Sequence, residues 1–165
     1  MESAFTDMIN NHRGILYKVC SLYGIDHEDQ KDLFQEIILQ LWKAFPRFRG
    51  DAQPGTWMYR VALNTAISYF RKENKRPGSY AIGDMEFEIP DMRYTDSSNE
   101  KADILKRAIT QLTRIEKAVV MLYLDEKSYE EISAIVGISK NNTGVMLNRI
   151  KTKLEKIIKT YYHEP

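Results

Sequence analysis

Cysteine is nearly absent. Cys20 is the only one in 165 residues, which excludes an intrachain disulfide and any zinc site built on cysteine pairs. Set in an apolar helical pattern, it reads as a small buried hydrophobe. Histidine is almost as scarce: His12, His27 and His163 lie far apart, with no H-x₃-H or HExxH pairing. A glycine-rich phosphate loop is missing too. The acidic run from Asp26 to Glu36 lacks the loop glycine and terminal glutamate of a calcium-binding EF-hand. No apolar run approaches the roughly 18 residues of a membrane span. The opening residues, MESAFTDMINNHRG, carry neither the basic start nor the continuous apolar core of a signal peptide. A cytoplasmic protein is expected, with no cofactor, no metal, no small-molecule substrate and no catalytic role.

What is present is ordinary for a soluble globular chain, 43% hydrophobic and 28% charged residues. The formal net charge of +1 conceals a segregation. Residues 1–76 hold 11 Lys/Arg against 9 Asp/Glu, residues 77–100 hold 1 against 6, and residues 101–165 hold 12 against 8. Two basic stretches, 60–76 and 140–159, flank the acidic one. They suit a polyanion touched in two places, or they decorate helix C-terminal halves, where the helix dipole favours cations.

Periodicity is helical nearly throughout. Phe5, Ile9, Leu16, Val19, Cys20 and Tyr23 predict one helix ending before Gly24. Leu33, Ile37, Leu41 and Phe45 predict a second, stopped near Pro46 and opened by Asp26, Glu28, Asp29 and Asp32, where the dipole favours negative charge. Pro54 suits the first turn of a third helix, through Trp57, Val61, Ile67 and Phe70 to about Lys75. Residues 77–100, rich in Pro, Gly, Ser and acids, read as a linker. Beyond it, Ile104, Leu105, Ala108 and Leu112 precede Ile115, Val119, Leu122 and Tyr123. The expected fold is all-α, in two small helical domains at 1–76 and 101–165.

Ser128 to Leu154, SYEEISAIVGISKNNTGVMLNRIKTKL, carries the most specific signal. Ser128 and Glu131 form an S-x-x-E capping box, Gly137 suits a left-handed turn, and Ser139 caps the next helix. Thr143, Leu147, Ile150, Leu154 and Ile157 lie at helical spacing for burial. Two helices across so short a turn form the helix-turn-helix pattern, whose second helix enters the major groove. Its outward face would show Lys140, Asn141, Asn142, Gly144, Val145, Asn148 and Arg149. Asn pairs with adenine, Arg with guanine, and Val meets a thymine methyl. Gly144 would permit close approach to DNA.

The first half carries a resemblance. The motifs D-L-x-Q-E (Asp32 to Glu36), Leu41-Trp42, F-R-G (Phe48 to Gly50) and T-W-x-Y-R (Thr56 to Arg60), followed by Asn64, Ala66 and Arg71, resemble region 2 of bacterial σ70-family factors. The match is to the small extracytoplasmic-function (ECF) group, and S-Y-E-E-I with G-I-S resembles region 4. The resemblance implies a σ factor directing core RNA polymerase to promoters, with a σ2-like bundle and a σ4-like helix-turn-helix domain joined by a flexible acidic linker in the RNA-exit path. It implies a −10 element base held by Ala44, Phe48, Val61 and Asn64, with Arg49, Tyr69 and Arg71 lining the single-strand groove. It assigns −35 contacts to Lys140, Asn141, Asn142, Val145, Asn148 and Arg149. Asp32, Gln35 and Glu36 would meet the polymerase β′ clamp helices, with the β flap as a second contact, and a cognate anti-σ factor is a further implied partner.

Some positions stay open. Trp57 fits either core or a base-stacking platform, and so does Tyr59. Asp32, Gln35 and Glu36 are equally dipole-compensating surface charges. Ser68 stands where the family often has Asp or Asn, and Gly144 and Met146 stand where it often has Lys and Arg. The alternative to the σ reading is a stand-alone dimeric helix-turn-helix regulator, which would leave the residues from Phe48 to Arg71 unused.

Overall fold

The computed structural model describes residues 2–24, 26–71 and 100–163. The chain divides into two compact units, Met1–Tyr94 and Thr95–Pro165, and no strand occurs among the described residues. The linker expected over 77–100 lies outside them, except for Glu100, which opens a helix.

In the first unit, α1 (Glu2–Asn11) and α2 (Arg13–Tyr23) replace the single helix expected there. His12 breaks the run with φ −126°, ψ 27°, within the poor helix formers Asn10, Asn11 and Gly14. Its ring Nδ1 lies 3.0 Å from the Met8 carbonyl, one turn back. α3 (His27–Ala44) starts at Asp26, whose carboxylate accepts the Asp29 N–H at 2.8 Å. It gives way to a 3-10 turn, Phe45–Arg47, where Pro46 lacks the N–H to continue the α-helical ladder. α4 (Pro54–Arg71) begins on Pro54, as expected.

Helices α2, α3 and α4 pack on one another around Leu16, Val19, Leu33, Ile37, Leu41, Met58, Ala62 and Leu63, all essentially inaccessible to water. Burying each large apolar side chain contributes about 1.5–3 kcal/mol. Cys20 is buried as expected, and burial pushes its thiol up to about 12. Tyr59 is only 1% exposed, which settles its open reading: it is core.

The corner between α2 and α3 depends on Gly24. Its backbone is extended, so conformation alone would admit any residue. A Cβ there, however, would fall 2.4 Å from Gln30 Cγ and 2.9 Å from the Cys20 carbonyl oxygen. Glycine is required by contact.

In the second unit, α5 (Glu100–Thr110), α6 (Arg114–Leu124), α7 (Tyr129–Val136) and α8 (Lys140–His163) enclose Ala108, Val119, Leu122, Ile132, Ile135, Leu147 and Ile150. Of the apolar residues read along this stretch, Ile115 and Tyr123 are 42% and 37% exposed; the core takes Ala118, Val119 and Leu122 from α6. An ion pair with one end buried joins α6 to α8: the Glu116 side chain is 8% exposed and that of Lys153 46%. Glu116 completes a capping box with Thr113 while its carboxylate takes the Lys153 ammonium at 2.9 and 3.1 Å. Burial works to raise the Glu116 carboxyl, but the Thr113 N–H and hydroxyl and the Lys153 charge together hold it below its ordinary value.

Two outcomes are expected. Gly24→Ala should cost the first unit about 1–3 kcal/mol by overpacking, read as a lower melting temperature by tryptophan fluorescence, since Trp42 and Trp57 both lie in that unit. An unchanged melt would mean that the corner opens freely. Because folding lowers the Glu116 pKa, its contribution is complete above the unfolded value of about 4.3 and is lost as pH falls through the folded value. Glu116→Gln should therefore cost about 1.5 kcal/mol at neutral pH, the low end for a charged bond because water reaches Lys153. In circular dichroism melts the gap to wild type should narrow as pH falls from the unfolded value through the folded one; a gap independent of pH would refute the assignment.

Candidate nucleic-acid interface

The helix-turn-helix forms where the sequence places it. Ser128 and Glu131 make both bonds of the capping box. Gly137 takes φ 82°, ψ 30° and ends α7. The Ser133 hydroxyl donates to the Ile138 carbonyl and ties the turn back to α7. Ser139 then accepts the Asn142 N–H at 3.0 Å and starts α8. Thr143, Leu147, Ile150 and Leu154 are buried and Ile157 is half-buried, which fixes the rotation of α8.

Asn141, Val145 and Asn148 consequently point away from the core, with Arg149 beside them, and all four are exposed. Val145 is 51% exposed, unusual for an aliphatic side chain on a packed helix. Asn142 is exposed at the edge of this face. Lys140 is exposed but engaged, its ammonium 3.2 Å from the Glu130 carboxylate on α7. Gly144 corrects the expectation of an open approach: it is half-buried, and a Cβ there would lie 3.5 Å from the Tyr129 ring. The close neighbour is the preceding helix.

The basic stretch is also less free than its composition implies. Lys153 belongs to Glu116, Lys159 pairs with Glu155 at 3.2 Å, and Lys151 sits 4.8 Å over the Tyr123 ring. Arg149 and Lys156 have no ion-pair partner among the described residues.

In the first unit, Trp57, Val61, Asn64 and Ser68 follow one stripe of α4 at helical spacing. Phe48, just past the 3-10 turn, sets its ring 4.8 Å from that of Trp57 and so adjoins the stripe. Trp57 is half-buried and also faces Phe45 at 6.4 Å, so it serves as wall between core and surface. Asn64 is exposed, Val61 and Ala44 are half-buried, and Arg49 is exposed beside Gly50, whose φ is 78°. Tyr69 does not join them. Five residues beyond Asn64, it is rotated about 140° around the helix and is half-buried. Arg71 falls two turns beyond Asn64 in register, but its side chain lies outside the described residues.

Asp32, Gln35 and Glu36 share one face of α3, opposite Leu33, Phe34, Ile37 and Leu41. Asp32 and Gln35 are exposed; Glu36 is half-buried and accepts a hydrogen bond from Gln40 at 3.1 Å. The Lys140–Glu130 and Lys153–Glu116 pairs escaped the sequence reading, and only the T-x-x-E at Thr113 hinted at the second.

A cation-bearing recognition helix behind a capped turn, with an aromatic-walled helical bundle in the same chain, defines a DNA-binding transcription protein. Residues 8–76 match the Sigma-70 region 2 profile and residues 102–154 the Sigma-70 region 4 profile. The ECF RNA polymerase sigma-E factor of Escherichia coli K12 is 33% identical over 133 residues, spanning 73% of this chain and 70% of that protein. The RNA polymerase sigma factor YlaC of Bacillus subtilis is 27% identical over 135 residues, 78% and 77% of the two chains. The sigma factor RpoE from Bartonella quintana, solved in complex with the anti-sigma factor NepR, shares the fold at TM-score 0.68 and 18% identity, over 94% of this chain and 97% of that one. The chain belongs to the σ70 family, in its ECF group, and its function is that of an RNA polymerase sigma factor. The region 2 match occupies the half that a stand-alone regulator would leave unused.

Gly144→Ala is expected to stabilise the protein. A methyl at 3.5 Å from Tyr129 is in ordinary contact, and removing a mid-helix glycine gains about 1 kcal/mol, or about 4–8 °C for a unit this small. Duplex affinity should stay unchanged because the position faces Tyr129. A destabilised variant, or one that loses DNA binding, would return Gly144 to the outward face.

Proposed function

We propose that this σ factor engages core RNA polymerase through the Asp32, Gln35 and Glu36 face of α3, set against the β′ clamp helices, while the second unit meets the β flap. On this reading residues 1–76 recognise and open the −10 element, residues 101–165 bind the −35 element, and residues 77–100 link them. The observation that carries it is the rotation of α8, which buries Thr143 and Leu147 and leaves Asn141, Val145, Asn148 and Arg149 outward behind a turn built by Gly137 and Ser139.

The first unit supplies the complementary half. Melting requires a base to leave the stack, at a cost of a few kcal/mol, and a preformed pocket can offset it. Phe48, stiffened against Trp57, offers a ring; Asn64 offers an amide for the base edge; Ala44 and Val61 give the pocket its apolar lining; Arg49 and Arg71 hold the backbone. Lys140 and Asn142 flank the −35 contact. Tyr69 serves at most as packing beneath the groove, given its rotation away from Asn64. Neither contact alone needs to be strong, since linkage through the polymerase raises the effective concentration of the second once the first forms. The protein acts in the cytoplasm as an initiation subunit, without a catalytic step of its own, and an anti-σ factor holds it in reserve, as the NepR complex of its structural neighbour suggests by analogy.

Gel filtration with bacterial core polymerase, followed by promoter-dependent run-off, tests the reading: co-elution with specific initiation supports it, and failure to co-elute with a competent core sinks it. Within that assay Asn64→Ala should impair open-complex formation while leaving co-elution intact. Arg149→Ala should weaken promoter binding by about 1–3 kcal/mol, roughly ten- to a hundredfold, if it pairs with a guanine. Unimpaired melting by Asn64→Ala would remove that residue from the −10 pocket.

A further inference from the structure

The ion pair between Lys140 and Glu130 is unusual in its placement. Lys140 is the first residue of α8, at the end of the helix that enters a major groove in this motif. Glu130 lies in the first turn of α7 and has no part in the capping box, which uses Ser128 and Glu131. Glu131 is further engaged by Lys127 at 4.0 Å. The Glu130 side chain is 76% exposed and that of Lys140 63%, so neither packing nor capping explains the contact. Such an exposed pair adds little to stability. Its consequence is electrostatic: a carboxylate stands beside a cation that would otherwise meet phosphate.

The remaining cations of α8 sharpen the point. Lys153, Lys159 and Lys151 are occupied by Glu116, Glu155 and the Tyr123 ring. With Lys140 neutralised, the outward face near the start of α8 consists of Asn141, Val145 and Asn148, with Arg149 as its charged member. Those side chains read base edges and a methyl group rather than attract phosphate.

We infer that Glu130 is a specificity-determining residue of the duplex contact: it holds Lys140 off the phosphate backbone, suppressing sequence-independent affinity so that discrimination rests on the Asn and Arg contacts. The inference rests on the reading of α8 as the −35 helix. Glu130 acts through Lys140 and is a positioning residue.

The test uses holoenzyme assembled from the full chain and bacterial core polymerase, with two probes: a mixed-sequence duplex, and a promoter library randomised over the −35 region. Glu130→Gln should bind the mixed duplex about threefold more tightly, with a log affinity against log salt slope steeper by about 0.9, as for one regained phosphate contact. Its selected library pool should show weaker enrichment than the wild-type pool. Both changes should vanish in a Lys140→Gln background, which separates release of Lys140 from simple loss of a negative charge near DNA. An unchanged salt slope, a gain that persists without Lys140, or a loss of affinity for both probes would overturn the inference. If the wild-type holoenzyme enriches no −35 sequence at all, the reading of α8 fails instead, and the salt slopes still measure the Glu130–Lys140 coupling.

Discussion

The unpaired amide groups at each helix start are the constraint on which this architecture depends. A helix leaves its first N–H groups without intrahelical partners, and short helices in a small domain tolerate few such losses. Asp26, Thr113, Ser128 and Ser139 each supply an oxygen to the amide three residues on. These bonds decide where α3, α6, α7 and α8 begin, and with the apolar stripes they decide how each helix is rotated. The turn between α7 and α8 is the sharpest case. A left-handed Gly137, a hydroxyl bond from Ser133 and the Ser139 cap bring two helices together with almost no loop.

Electrostatics then apportion the surface that the caps have oriented. The second unit is rich in lysine, yet much of that charge is occupied within the unit. Lys153 turns sideways to the buried Glu116, Lys151 lies over an aromatic face, and Lys140 leans back to Glu130. The Glu116 pair differs in kind from the others. It places a nearly inaccessible carboxylate where two hydrogen-bonding partners and a cation converge, while the Lys153 end stays open to water. The surface pairs set carboxylates beside lysines of α8 with little effect on stability.

The first unit reaches its surface through aromatic rings. Phe5 meets Trp42 and Phe45 edge-on at 5.0 and 5.3 Å, Phe45 faces Trp57, and Trp57 carries Phe48. The chain of rings runs from the fully buried Phe5 to the half-buried Phe48. Packing at the inner end therefore stiffens the outer end. A ring held by such packing loses little freedom in any later contact, which lowers the ordering cost of that contact.

The sequence by itself determined the helical class, most element boundaries, the capped turn and the inward face of α8. Each of these is local: periodicity and caps act within a few residues, so their signals survive in one dimension. It also supported the family through motifs in order. Tertiary structure alone decided which neighbour covers each face. That Tyr59 is core and that Gly144 lies under Tyr129 follow from packing and helix rotation. The pairing of Lys140 with Glu130, ten residues away, and of Lys153 with Glu116, 37 residues away, likewise follows from how α6, α7 and α8 cross. A charge or ring written in the sequence carries no address for its partner; only the packed helices bring the two within reach.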